Sequence, residues 1–421
     1  MDVKIEKLVY GGDGLGHADG ATVFVPFVLP EEVVRVREVE RRKKYVRGQV
    51  QEMLTASAER TSPPCRHFGV CGGCHYQHMP YEAQLRYKAE ILRENLRRLG
   101  GLNWEGRIET VGSQPLGYRN RAQWHVRGGG TGYLQAGTKV VCAVDECPIL
   151  SPRLAGTLTR VREFVKRKQL PPTVSEVEAF ADAADERVLL NVSLSHFHGQ
   201  EKAVARALRE GVEATESVLV HEASRGVMEL DGPGFLTYEA AGFRYRVGHM
   251  SFFQVNRFLI EELVRRVVGE EKGRLALDLF AGAGLFTLPL GKKFERVVGV
   301  ESNPATARDL RANAKENETD CAAVEEGVER FLAAWKDTPD LVVLDPPRAG
   351  VPAAAMEKLR RLGPARIVYL SCDPATLARD LSLLTRSGGT GASYEMKSVE
   401  ILDVFPQTYH IEALVRMMRR E

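Results

Sequence analysis

Two hydrophobic rhythms divide the chain. Short runs rich in β-branched residues, at 3–10, 21–28, 33–39 and 46–53, are broken by glycine at 11–14 and by proline and acid at 30–32. Such runs predict short strands. Pro26, inside the second run, predicts an edge or a bulge, because proline cannot donate to a ladder. Four or five strands in sixty residues predict a small barrel of the oligonucleotide-binding type. From about residue 251 the rhythm changes. Apolar runs at 275–280, 297–300, 341–344 and 367–370 alternate with amphipathic stretches. That alternation predicts a parallel, doubly wound, Rossmann-like α/β sheet.

Between these regions the pattern is less regular. Residues 61–80 form a stretch of cysteine, glycine, histidine and proline without periodicity. Leu85, Ala89, Leu92 and Leu96 recur at helical spacing, so 81–99 is predicted helical, ended by Gly100 and Gly101. Strands and turns are expected over 105–250, with a tight connection at Gly128–Gly130 and a polar helix at 152–168. Residues 171–220 carry no motif. Three parts result: a barrel at 1–60, a β-rich central part at 61–250 and an α/β part at 251–421, with helix 81–99 able to pack on the last.

Composition narrows the class. The 421 residues are 44% hydrophobic and 27% charged, with net charge +2, as in a globular protein. No stretch approaches the roughly 18 apolar residues of a membrane span, and the first residues lack the apolar segment of a secretory signal. A cytoplasmic monomer is expected. The mild positive charge permits nucleic-acid binding without requiring it. More specific are a basic cluster at Arg41, Arg42, Lys43, Lys44 and Arg47 and another at Lys88, Arg93, Arg97 and Arg98. Either could equally be a solvated charged face.

The first α/β strand runs into Phe280-Ala281-Gly282-Ala283-Gly284-Leu285. Glycines there let the backbone turn sharply and approach a ligand. The next strand ends in Glu301, placed to take a ribose hydroxyl pair. The turn lacks the third glycine of a dinucleotide fingerprint and opens on an acid, Asp278. S-adenosylmethionine is therefore favoured over NAD. A third strand delivers Asp345-Pro346-Pro347-Arg348. Amino-methyltransferases of bases place an aromatic residue after such prolines, where this chain has Arg348.

The fourth strand ends in Ser371-Cys372-Asp373-Pro374, which sets a cysteine at the crevice and at a helix start, where a thiolate is stabilised. A methyltransferase needs such a thiolate when the acceptor is carbon 5 of uracil. Addition to carbon 6 turns the ring into an enolate, whose carbon 5 can attack a sulfonium methyl. A base must then remove the carbon 5 proton. Glu412 is a candidate base.

Three further cysteines, Cys65, Cys71 and Cys74, join Cys147 to give four thiolates. Tight spacing and an odd total of seven cysteines argue for a metal site over disulfides. Zinc and an iron–sulfur cluster both suit four thiolates.

The segments FFQVN at 252–256, DLFAGAGLFTLPL at 278–290, DPPRAG at 345–350, SCDPATLARD at 371–380 and HIEALV at 410–415 resemble the RNA (uracil-C5)-methyltransferase family, and the N-terminal region resembles a TRAM domain. The resemblance implies Cys372 as nucleophile and Glu412 as base. It implies Gln254, Phe280, Gly282, Gly284, Leu285, Glu301 and Asp345 around the cofactor and target base. At Leu285 and near Gly327 the chain departs from the family pattern, and backbone contacts would replace side chains. The segment CRHFGVCGGC at 65–74 resembles the [4Fe-4S] segment of the ribosomal branch. It implies a cluster on Cys65, Cys71, Cys74 and Cys147, and structured RNA as partner: 23S ribosomal RNA in the first instance, transfer RNA in the second. Rival functions are an amino-methyltransferase, which would not need Cys372, and a non-catalytic RNA-binding assembly protein.

Overall fold

The computed structural model describes residues 1–196, 199–222, 226, 228–387 and 391–421. The first five strands, Asp2–Leu8, Asp13–Ala18, Ala21–Pro26, Val33–Arg41 and Tyr45–Thr55, close into a barrel. Val3, Ile5, Val23, Val25, Val34, Val36 and Val46 fill it. Closure leaves no edge, so Pro26 instead ends its strand opposite Asp13. The strand Asp13–Ala18 was not expected, since its glycines read as a break. They are what makes the barrel fit. A Cβ on Gly14 would lie 2.4 Å from a Val28 methyl, and one on Gly16 would lie 2.2 Å from the Lys4 carbonyl.

A seven-stranded sheet forms the centre, built on Arg121–Arg127, Val174–Ala181 and Val188–Leu194 and covered by helices Pro152–Lys166 and Glu201–Gly211. The region without a motif, 171–220, thus holds three core strands and a helix. Gly128 and Gly129, both at positive φ, turn the hairpin between Arg121–Arg127 and Gly130–Leu134.

The third body is an eight-stranded sheet. Five of its strands are parallel neighbours: Ala322–Glu325, Phe294–Glu301, Gly273–Leu279, Leu341–Leu344 and Arg366–Ser371, in that order. The sheet is mixed rather than wholly parallel. Ala413–Arg419 runs antiparallel between Arg366–Ser371 and Tyr394–Leu402. A buried apolar strand reads alike in either direction, so periodicity could not show this.

Sheet membership does not follow a boundary at 250. Ile108–Val111 is the outermost strand of the eight. Helix Tyr81–Gly100 packs through Ile91, Leu92 and Leu96 on Leu377, Ala378 and Leu381 of helix Pro374–Thr385. The hairpin Phe235–Ala240 with Phe243–Gly248 lies on helix Pro304–Glu316, where Asn313 accepts from the Arg246 N–H at 2.6 Å. The buried face of Tyr81–Gly100 also includes polar positions, Gln84 and Lys88. Lys88 is therefore not part of a solvent-facing basic cluster. Its ammonium is fully buried, 2.6 Å from Asp403. Among the described residues, no helix is long and apolar enough to cross a membrane.

Candidate active site

Four adjacent parallel strands end on one rim of the sheet, and each delivers a candidate group. Gly273–Leu279 leads into Phe280 and the glycine turn, Phe294–Glu301 ends in Glu301, Leu341–Leu344 is followed by Asp345, and Arg366–Ser371 by Cys372. The carboxyl edge of such a sheet is where ligands bind in open α/β folds. The inserted strand completes the set. Its antiparallel register pairs Ser371 with Ala413. Glu412, the residue before Ala413, lies close enough for its carboxyl to act on the Cys372 thiol.

The glycine turn is built for close approach. Phe280, Gly282 and Gly284 all have positive φ, at 69°, 55° and 97°. A side chain on Gly284 would strike Leu310, with its Cβ 2.6 Å from a methyl, whereas a Cβ on Gly282 would meet nothing within 4 Å. The Glu301 carboxylate accepts from Gly282 N–H at 3.0 Å and Asn303 N–H at 2.7 Å, which fixes the turn against the second strand. Leu285 belongs to the core beneath, and its carbonyl takes the Tyr245 hydroxyl. Gly327, just before helix Val328–Ala334, borders open space.

Asp278 lies deeper in the turn and was not among the expected site residues. It is fully buried, and one oxygen accepts from Thr287 Oγ1 at 2.5 Å. The other oxygen, Oδ1, is buried without a partner. Burial pushes its pKa up to about 7, with the nearby Glu301 charge adding to the shift. An orphaned acceptor in a glycine-lined crevice suits a cofactor with hydrogen-bond donors, as S-adenosylmethionine has. The sequence did carry a signal: one acid inside the apolar run 275–280.

Gln254 sits in a buried loop that several elements pin. Asn120 N–H donates to the Val255 carbonyl at 3.0 Å, Ser251 Oγ to Asp309 at 2.6 Å, and Asn256 Nδ2 to the Val404 carbonyl at 3.2 Å.

Around Cys372 the electrostatics differ from the helix-start expectation. The thiol pKa is pushed up to about 12, first by burial and then by the Glu412 and Asp345 carboxyls, while Arg348 pulls it down. Asp345 is raised to about 7 by burial and Asp278. Glu412, buried beside Asp345, is raised well above the ordinary carboxylate range, again with Arg348 opposing. Cys372 and Glu412 thus share one guanidinium, and the resting site retains protons. Arg348, beyond the expected set, is held by its neighbours. Thr376 Oγ1 donates to its carbonyl at 3.1 Å, and buried Asp380 accepts from Val351 N–H at 2.9 Å and the Tyr369 hydroxyl at 2.7 Å.

Cys65, Cys71, Cys74 and Cys147 line one cavity of about 320 Å³, with Arg119, Arg348 and His410 also in its wall. A tetrahedral zinc site would draw its sulfurs to within about 3.8 Å of one another. Among the described residues, no three Cys, His, Asp or Glu side chains converge to hold a single ion. Four thiols lining one cavity are a donor set that zinc or an iron–sulfur cluster could use. The cysteine loop is stitched to the Glu412 loop: His75 and Tyr76 N–H both donate to the Gln407 carbonyl, at 2.8 and 3.0 Å.

Comparison with known proteins agrees with this geometry. Residues 80–420 match the tRNA (Uracil-5-)-methyltransferase family and residues 1–51 the TRAM domain. The chain is 34% identical to the 23S rRNA (uracil(1939)-C(5))-methyltransferase RlmD of Alkalilimnicola ehrlichii, over 100% of this chain and 96% of the relative. It is 33% identical to an uncharacterized RNA methyltransferase of Aquifex aeolicus, over 98% and 97% of the two chains. Its fold superposes with a TM-score of 0.78 on the Pyrococcus abyssi tRNA (uracil-54, C5)-methyltransferase in complex with S-adenosyl-L-homocysteine. That pair is 26% identical, with 99% of this chain and 100% of the other covered. With its nucleophile candidate, glycine turn and barrel in one chain, this protein belongs to the tRNA (uracil-5-)-methyltransferase family and is an S-adenosylmethionine-dependent RNA methyltransferase with an N-terminal TRAM domain.

Proposed function

We propose that the enzyme methylates carbon 5 of a uridine in 23S ribosomal RNA through a covalent adduct on Cys372. The observation that carries the mechanism is the pairing of Ser371 with Ala413, which brings the Glu412 carboxyl close enough to act on the Cys372 thiol. Cys372 sulfur bonds to carbon 6, and the ring electrons move to the carbon 4 oxygen. S-adenosylmethionine, when bound, supplies the methyl that carbon 5 takes. Glu412 then accepts the carbon 5 proton, the carbon 6–sulfur bond breaks and the thiolate is regenerated. The surroundings that hold a proton on Glu412 at rest make its carboxylate, once formed, a strong base. Gly282, Gly284, the Leu285 backbone, Phe280, Glu301, Gln254 and Asp345 form the cofactor and base pocket, and Arg348 offsets the charge that accumulates there.

Ribosomal RNA is favoured by the ribosomal relatives and by the four-cysteine cavity, which we assign to a [4Fe-4S] cluster that braces the Glu412 loop. Transfer RNA is the second reading, favoured by the solved structure from Pyrococcus abyssi. The enzyme works as a cytoplasmic monomer.

The test is methylation of 23S and transfer RNA with labelled cofactor, followed by nucleoside mapping. Cys372→Ala should bind both partners and transfer nothing. Glu412→Gln should transfer the methyl and then stall as a denaturation-resistant protein–RNA adduct. Full activity in Cys372→Ala overturns the mechanism, and label in transfer RNA alone overturns the ribosomal assignment.

A further inference from the structure

The barrel reaches the reaction centre directly. Between strands Asp2–Leu8 and Asp13–Ala18 the chain makes a tight turn: Val9 N–H donates to the Asp13 carbonyl at 2.9 Å and Gly12 N–H to the Val9 carbonyl at 3.2 Å. Gly11 and Gly12 take φ of 110° and 93°. The turn lies against the cysteine loop, since a Cβ on Gly12 would be 3.2 Å from that of His75. At its tip, the half-buried Tyr10 makes two contacts. Its hydroxyl donates to the Cys372 backbone carbonyl at 3.1 Å. Its ring meets Tyr409 edge-on, with centroids 5.5 Å apart. Tyr409 in turn packs on His75 at 4.6 Å and His410 at 4.4 Å, two residues before Glu412. One barrel side chain therefore touches the loop of the candidate nucleophile and the loop of the candidate base.

We infer that Tyr10 is a positioning residue for methyl transfer: its hydroxyl fixes the Cys372 loop to the RNA-holding barrel, while its ring braces the loop leading to Glu412. This rests on the reading of Cys372 as nucleophile. The backbone of residues 371–374 is otherwise secured on its far side. Asp373 caps helix Pro374–Thr385 by accepting from the Ala375 and Thr376 N–H groups, both at 2.9 Å, and Ser371 Oγ donates to the Asp373 carbonyl at 3.1 Å. Tyr10 supplies the restraint from the opposite side. Adding a thiolate to carbon 6 demands placement within a fraction of an ångström, and a lost anchor reduces the rate through misplacement without weakening binding.

Tyr10→Phe removes the hydroxyl and keeps the ring. The measurement is the single-turnover rate at which the full-length enzyme forms its adduct with RNA carrying 5-fluorouridine, together with kcat, the KM for RNA, the Kd for S-adenosylmethionine and the thermal midpoint. One net hydrogen bond corresponds to a loss of about 3- to 10-fold in adduct rate and kcat. KM, Kd and midpoint should stay at wild-type values. A wild-type adduct rate in Tyr10→Phe overturns the assignment. So does a raised KM with unchanged rate at saturation, which would make Tyr10 an RNA contact. Cys372→Ala is measured in parallel. Retained methylation there overturns the nucleophile and this role with it, whereas an inactive Cys372→Ala beside a wild-type Tyr10→Phe overturns this role alone.

Discussion

Asp278 is a carboxyl that the folded protein prefers protonated. Its pKa rises from 3.8 to about 7 on burial. A raised carboxyl contributes stability that is complete below its unfolded pKa and is lost as pH rises through the folded one. Asp278→Asn cannot titrate, and its amide oxygen can still accept from Thr287. Relative to Asp278→Asn, the wild type should lose on the order of 3–4 kcal/mol between pH 4 and pH 8. Urea unfolding across that range checks it, and parallel pH curves would refute it. The ligand-free thiol of Cys372 is held near 12, so its alkylation should still be accelerating at pH 10. Arg348→Leu should slow that alkylation at fixed pH, since the positive charge that pulls the thiol down is gone. The sequence displayed Cys372 and Glu412 as motif residues. What it could not display was that two carboxyls would crowd the thiol, because that depends on a pairing between residues 371 and 413.

Helix Tyr81–Gly100 was legible almost to its last residue, as a stripe of leucines ended by glycines. Its orientation was not. The helix turns Gln84 and Lys88 inward, because each finds a partner far along the chain: Gln84 the Gln407 backbone and side chain, Lys88 the Asp403 carboxylate. Lys88→Met strands Asp403 in the core, and removing one partner of a buried pair costs about 3–5 kcal/mol. The double variant Lys88→Met/Asp403→Leu should recover much of that. Denaturant midpoints decide it, and a single variant as stable as wild type would show that the pair carries nothing. The place of Ile108–Val111 in the last sheet and the strand Asp13–Ala18 were missed for related reasons. The first has too few residues to show a period, and the glycines of the second serve closure of the barrel rather than a break in it.

Across the whole molecule, the barrel is both a handle and a part of the catalytic body. Its Leu8 and Leu29 lie in the core that also holds Tyr76, Tyr87 and Leu92. Much of its basic cluster is internally neutralised: Arg41 pairs with Glu38, Arg42 with Glu40 and Arg47 with Asp13. Lys43 and Lys44 at the exposed tip are the candidates for phosphate contact. Charge reversal of both should weaken RNA binding and reduce the slope of log affinity against log salt by about one per lysine. An unchanged slope would move the interface elsewhere. Anaerobically purified protein should be brown and hold about four iron atoms per chain, and Cys147→Ser should lose them as fully as Cys71→Ser. Stoichiometric zinc would replace the cluster assignment. The change of rhythm near residue 251 was legible as a change from short broken strands to a layered α/β sheet. The pairing of Ile108–Val111 with the last sheet, and the packing of the hairpin 235–248 on helix Pro304–Glu316, escaped it, since such contacts leave no local period.

Strand Ala413–Arg419 separates two strands that both precede it in the chain. During synthesis, Arg366–Ser371 and Tyr394–Leu402 therefore emerge with open, apolar edges, the kind that invite pairing with other chains. The glycine turn, Glu301 and Asp345 can be in place by then, but Glu412 arrives only with the strand that seals the gap. A nascent chain can thus assemble its cofactor crevice before its candidate base arrives, and the same few residues that close the sheet also bring that base to the crevice.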